Sequence, residues 1–210
     1  MANIRELTDK IAEVTGIESA TVARYARFAR EGGYISQTGR GTSAAQMQTK
    51  DVANMLACIL ASSVAQESPD HIKRVMEMSV GYREADHIDE RHLDKDQEKA
   101  LRKILPIVFD RKHTLYELLL VLVEMAVKDP KDFEKRFSDS YISFKCDEYS
   151  ADVGFDIFAG DKRLLDFARS INVTFNYTHS DFQPRSEYYQ RSTHLTFSAI
   201  AQICKLMSAK

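Results

Sequence analysis

The sequence has little of what most function classes require. Its three cysteines, Cys58, Cys146 and Cys204, are far apart and never form a CxxC pair. That usage argues for a reducing compartment and against a structural zinc site. The opening MANIRELTDK has no apolar core of the kind a secretory leader carries. The longest apolar run, Leu115 to Val127, spans 13 residues and contains Glu117 and Glu124, too short and too charged to cross a bilayer. A cytoplasmic protein with no membrane partner is expected. No nucleophile elbow, HExxH, Walker motif or dinucleotide fingerprint is present, so neither an enzyme nor a cofactor is expected. The acids Asp152, Asp156, Asp161 and Asp166 imitate a nuclease cluster, but acids on an exposed sheet face explain them more cheaply. His87 and His92 stand near Asp86, Asp89 and Glu90, yet their spacing of five does not suit a helical metal pair, and no metal site is expected.

Basic excess is also missing overall. The net charge is −2, so the chain as a whole is no nucleic-acid coat. The balance is uneven, however. From Glu18 to Lys50 there are five positive residues against two negative, leaving +3 there and −5 on the remainder. A basic end on an acidic body suits local contact with phosphate.

What is present centres on Glu6 to Ser43. Ile4, Leu7, Ile11 and Val14 fall at helical spacing, and Gly16 stands where a helix end needs positive φ. Ser19 offers a cap for a second helix running to about Glu31 and stopping at Gly32-Gly33. Ala12, Gly16 and Val22 occupy the small, turn and aliphatic positions of a helix-turn-helix. On the second helix Val22, Tyr25, Ala26 and Ala29 share an apolar face. Ala20, Ala23, Arg24 and Arg27 share the opposite one, with Thr21 and Arg30 at its margins. Small alanines allow close approach to a groove, and arginines reach base edges or phosphates. Tyr34-Ile35-Ser36 then reads as a strand, Gln37 to Gly41 as a glycine-rich tip, and Thr42 to Met47 as the return. Arg40, with Gln37, Thr38 and Thr42, would serve such a wing on the DNA.

The stretch from Tyr25 to Ser62 carries Ala29-Arg30-Glu31-Gly32-Gly33, Gly39-Arg40-Gly41-Thr42-Ser43-Ala44-Ala45 and Thr49 through Leu56. It resembles the N-terminal part of a group of phage and prophage proteins common in alphaproteobacterial genomes. These carry an AREAGL-type helix end, a GRGxSAA turn and a TxxDxANLL helix, from which this chain departs in having one residue between Thr49 and Asp51. Tyr34 stands where the group usually has leucine. The match covers about the first third of the chain well. The resemblance implies phage or gene-transfer-element origin and DNA binding, without a specific role.

Further along, Thr49 is expected to cap a helix bearing Val52, Leu56, Ile59 and Leu60, with Asp51 at its positive end. Ser68-Pro69 should open another through about Gly81, its buried stripe Ile72, Val75, Met76 and Val80. Tyr82 to Lys99 reads as a charged, solvated stretch. Ala100 to Phe109 should break at Pro106. Thr114 and Glu117 form a capping box before an all-round apolar helix, Leu115 to about Lys128, that Asp129-Pro130 ends. Beyond Pro130 the period becomes two. Ile142 to Cys146, Val153 to Ile157 and Ile171 to Tyr177 read as strands, with Tyr188 to Leu195 as a further one. Leu164 to Phe167 stays open between helix and strand. Thr196 caps a last helix with Ile200, Ile203, Leu206 and Met207.

The expected fold is a mainly helical α+β protein. A winged helix-turn-helix-like unit occupies 1–66, a helical middle 67–130, and an antiparallel sheet with a final helix 131–210. The expected function is sequence-specific binding of double-stranded DNA as a phage or prophage regulator. A homodimer or partner protein would assemble through the C-terminal region. Two alternatives stand beside it: a packaging or recombination site-recognition factor, and an interaction protein that inhibits a host defence or transcription complex.

Overall fold

The computed structural model describes residues 2–37, 46–61, 64–85, 112–137, 140–145, 150–157, 169–176 and 192–208. Helix α1 (Ile4–Thr15) begins on a reciprocal cap. The Asn3 side chain accepts the N–H groups of Arg5 and Glu6, and the Glu6 carboxylate accepts the N–H of Asn3 at 2.8 Å. Gly16 ends the helix at φ 70°, its N–H donating to the Ala12 carbonyl at 2.9 Å. That left-handed conformation is cheap only for glycine. Helix α2 (Ser19–Glu31) follows after Ile17 and Glu18. Ser19 is its first residue rather than its cap, and the Ser19 hydroxyl donates to Asp9 at 3.3 Å.

Tyr34 to Ser36 does not form the expected strand. Side chains of α3 (Thr49–Ala61) take its backbone groups instead. Asn54 Nδ2 donates to the Tyr34 carbonyl at 2.5 Å, and the Ser36 N–H donates to Asp51 at 2.8 Å. Ile35, between them, is buried. Thr49 lies inside α3, and Asp51 reaches back to accept the N–H of Gln48 at 2.8 Å, so the capping role falls to the acid. Every residue of α3 from Asp51 to Ala61 is buried, which makes it a central helix.

A short 3₁₀ turn (Ala65–Glu67) leads into α4 (Ser68–Glu77). This helix stops earlier than its apolar stripe suggests. Ile72 and Val75 are buried on it, but Met78 is extended and Val80 belongs to strand β1 (Ser79–Ala85). Pairing with a distant strand overrides the helical period there. The Met78 carbonyl also accepts the N–H of Leu115 at 2.9 Å, joining the start of β1 to that of α5 (Leu115–Lys128). The Thr114–Glu117 capping box forms as expected. Helix α5 packs on α3 and α4 and buries seven residues, so its apolar character serves the core. Pro130 opens α6 (Pro130–Phe137), where a missing N–H costs nothing.

Strands β2 (Tyr141–Lys145), β3 (Ser150–Ile157), β4 (Arg169–Asn176) and β5 (Ser192–Thr196) complete an antiparallel sheet of order β1-β4-β3-β2-β5. Ile142 lies in register with Leu195 and Phe144 with Ala151, and all four are buried, as the period of two requires. Strand β1 stands at one edge of the sheet, its first residues taken from the expected helix and those from Tyr82 onward from the stretch expected to be charged and solvated. Helix α7 (Phe197–Ser208) follows β5 without an intervening residue, with the Ala199 N–H donating to Thr196 Oγ1 at 3.2 Å.

Phe133, Phe137 and Phe197 cluster with ring centroids 5.2 to 5.9 Å apart, tying α6 to α7. Helix α7 packs in turn on α5 and α1. One hydrophobic cluster thus draws on all three stretches of the chain, from Leu7 and Ile11 to Ile200 and Ile203. Among the described residues no helix is long and apolar enough to cross a membrane. The expectations for Ala100 to Phe109, Leu164 to Phe167, His87, His92, Asp161 and Asp166 lie outside the described residues.

Candidate nucleic-acid interface

Helix α2 is the element on which the expected contacts converge. Its apolar face is buried as its period requires: Val22, Tyr25, Ala26 and Ala29 all enter the core. Leu7 and Ile11 of α1 are buried in the same cluster. The other side of α2 stays open. Ala20, Ala23, Arg24, Arg27 and Arg30 are exposed, and Thr21 is half-buried with its hydroxyl turned towards Glu18 at 3.5 Å.

The C-terminal end of α2 is closed by several bonds. Gly33 takes φ 81°, its N–H donating to the Arg30 carbonyl at 3.0 Å, while the Tyr34 N–H donates to the Ala29 carbonyl at 2.9 Å. This is a Schellman closure. Gln37, expected on the wing, donates its side-chain amide to the Arg30 carbonyl at 2.5 Å. Its side chain therefore finishes the helix. Thr38, Arg40 and Thr42 lie outside the described residues. Past them, the Met47 N–H donates to the Ala2 carbonyl at 2.9 Å, and Met47 is buried.

The guanidiniums of α2 are not equivalent. Arg27 Nε lies 2.9 Å from Glu31 one turn on, and its guanidinium sits 5.1 Å from the Phe28 ring centroid. An exposed pair of this kind contributes little stability but neutralises one cation of the face. The spacing Arg27 to Glu31 could have signalled it, since residues four apart on a helix are neighbours. Arg27 and Arg30 also line a groove between α1 and α2, together with Arg5 and Asp9 of α1 and with Ala23 and Ala26. Its volume is about 400 Å³. Arg24 and Thr21 lie off that groove, further round α2. The structure thus divides the expected contacts into a groove pair, Arg27 and Arg30, and an outward pair, Arg24 and Thr21. Arg5 escapes sequence reading because its place depends on how α1 packs against α2.

Among the described residues no group of three or more His, Cys, Asp or Glu could hold a metal ion. Asp152 and Asp156 both lie on β3. Comparison with protein-family models, with curated proteins and with solved structures found no match.

Proposed function

We propose that this chain binds double-stranded DNA with α2 as the reading element, as a regulator of phage, prophage or gene-transfer-element origin. The carrying observation is the division of α2 into a buried apolar face and an open face of alanines and arginines. Alanines at 20 and 23 leave the helix surface low enough to enter a major groove, and Arg24 and Arg27 extend beyond it. A wing bearing Thr38, Arg40 and Thr42 would add contacts to the adjacent backbone. A single unit buries a modest interface, so a dimer or partner protein would supply the remaining affinity.

A gel shift against the DNA upstream of the chain's own coding sequence tests this reading. Binding should be present at low salt, weaken steeply as salt rises, and be lost in the double variant Arg24→Ala, Arg27→Ala. Absence of binding at low salt, or binding indifferent to both substitutions, would falsify it.

A second reading is an interaction protein whose acidic body is the working surface. The −5 charge outside residues 18–50 and the pairing of Arg27 with Glu31 favour it. It expects a co-purifying protein and no salt-sensitive DNA complex. A packaging factor would bind DNA and sediment as a ring far larger than a dimer.

A further inference from the structure

We propose that the groove between α1 and α2 seats a phosphate of the nucleic-acid backbone, gripped by Arg5 from one wall and Arg27 and Arg30 from the other. This rests on the DNA-binding reading and extends it to α1, which otherwise serves only as support. The groove has the room, at about 400 Å³, because its α2 wall is built on Ala23 and Ala26. Three guanidiniums and the Asp9 carboxylate line it; with Glu31 paired to Arg27 the balance is still positive by one, so its charge favours an anion.

The carboxylate is already partly engaged. Asp9 accepts the Ser19 hydroxyl at 3.3 Å, and its contact with Arg5 is long, at 3.8 Å. Both side chains of that pair are exposed, 89% for Arg5 and 58% for Asp9, so it holds Arg5 weakly. A phosphate offers charged acceptors on several sides and matches the planar fork of a guanidinium better than the distant carboxylate does. The occupant is a backbone phosphate because the groove is continuous with the open face of α2. Arg27 lines the groove while projecting from the same helix as Arg24. A duplex that received α2 in its major groove would bring a flanking strand to this wall.

The test uses the full chain and a labelled mixed-sequence duplex, with anisotropy measured over a salt series. Arg5→Ala should weaken binding several-fold whatever the duplex sequence. It should also flatten the slope of log affinity against log salt by about 1, the loss of one phosphate contact. Asp9→Asn, which keeps an acceptor for Ser19, should tighten binding. Opposite signs at one groove are not what a damaged fold produces, and Arg5 is too exposed to matter to the core. Wild-type affinity and slope in both variants, alongside weakened binding in Arg24→Ala, would overturn the groove and leave the DNA reading standing. No binding by the wild type at low salt would overturn both.

Discussion

The Asp51 carboxylate on α3 holds the backbone N–H of Ser36, fifteen residues earlier, at 2.8 Å. Its second oxygen holds the N–H of Gln48 at the same distance. One buried acid therefore ties down both sides of the stretch from 37 to 47, which contains Arg40.

Asp51→Ala should be strongly destabilising, by about 3 kcal/mol, because two backbone donors lose a charged acceptor in a buried place. Asp51→Asn keeps one acceptor and should cost about half as much. Urea unfolding followed by circular dichroism gives both values, and a cost under a few tenths of a kcal/mol for Asp51→Ala would contradict this role.

Gly16→Ala should cost about 1 kcal/mol. An added Cβ there meets nothing within 4 Å among the described residues, so the cost is that of holding an L-residue at φ 70°. Gly16→Asn should cost less, since asparagine tolerates the left-handed region better. Thermal midpoints of the two variants rank them, and equal midpoints would show the turn relaxing to another conformation.

Tyr116 carries a buried hydroxyl with no hydrogen-bond partner among the described residues. Burial first, and the nearby Asp51 charge second, push its pKa from 10.0 to about 12. Tyr116→Phe should therefore leave stability at neutral pH unchanged or raise it by up to about 1 kcal/mol. The phenol ionises more readily in the unfolded chain. Wild-type stability should thus fall relative to Tyr116→Phe as pH rises from 10 towards 12. Parallel pH profiles for the two proteins would refute the assignment.

His71 is buried on α4, with Nε2 3.2 Å from Glu67. Burial lowers its pKa below 6.5, outweighing the Glu67 bond that raises it. The unfolded chain then takes up the proton first, so stability should decline as pH falls below 6.5. His71→Gln should flatten that part of the profile. An unchanged acid limb in the variant would assign the decline to other groups.

On the proposed DNA-binding reading, Glu31→Gln should strengthen binding, because it removes the carboxylate that Arg27 now pairs with at 2.9 Å. Binding isotherms at low salt, where screening is weakest, measure the gain. Weaker binding in this variant would mean that Glu31 positions Arg27 rather than competing for it.

The parts of this molecule that are legible in its sequence are those set by near neighbours. The buried face of α2 follows from four apolar residues at helical spacing, and the start of α5 follows from Thr114 and Glu117. The alternation from Ile142 onward yields a strand because one face of it is buried. Distant partners are not legible in this way. Helix α4 ends at Glu77 because residues from Ser79 onward pair with β4, far along the chain. Tyr34 to Ser36 has strand-like residues, yet Asp51 and Asn54 occupy its backbone groups. In the candidate interface, the division of α2 needs only helix geometry, whereas the place of Arg5 depends on the packing of two helices.

No residue separates β5 from α7, so the heading of the last strand dictates that of the last helix. The Phe197 N–H donates to the Ser140 carbonyl at 2.9 Å, which pins that joint beside the start of β2. Helix α1 leans on α7. The foundation of the arginine-bearing helix pair is therefore laid at the opposite end of the chain. A change that redirected β5 would be felt first as a tilt of α1, with the groove that it shares with α2 altered in width while the residues lining it stayed the same.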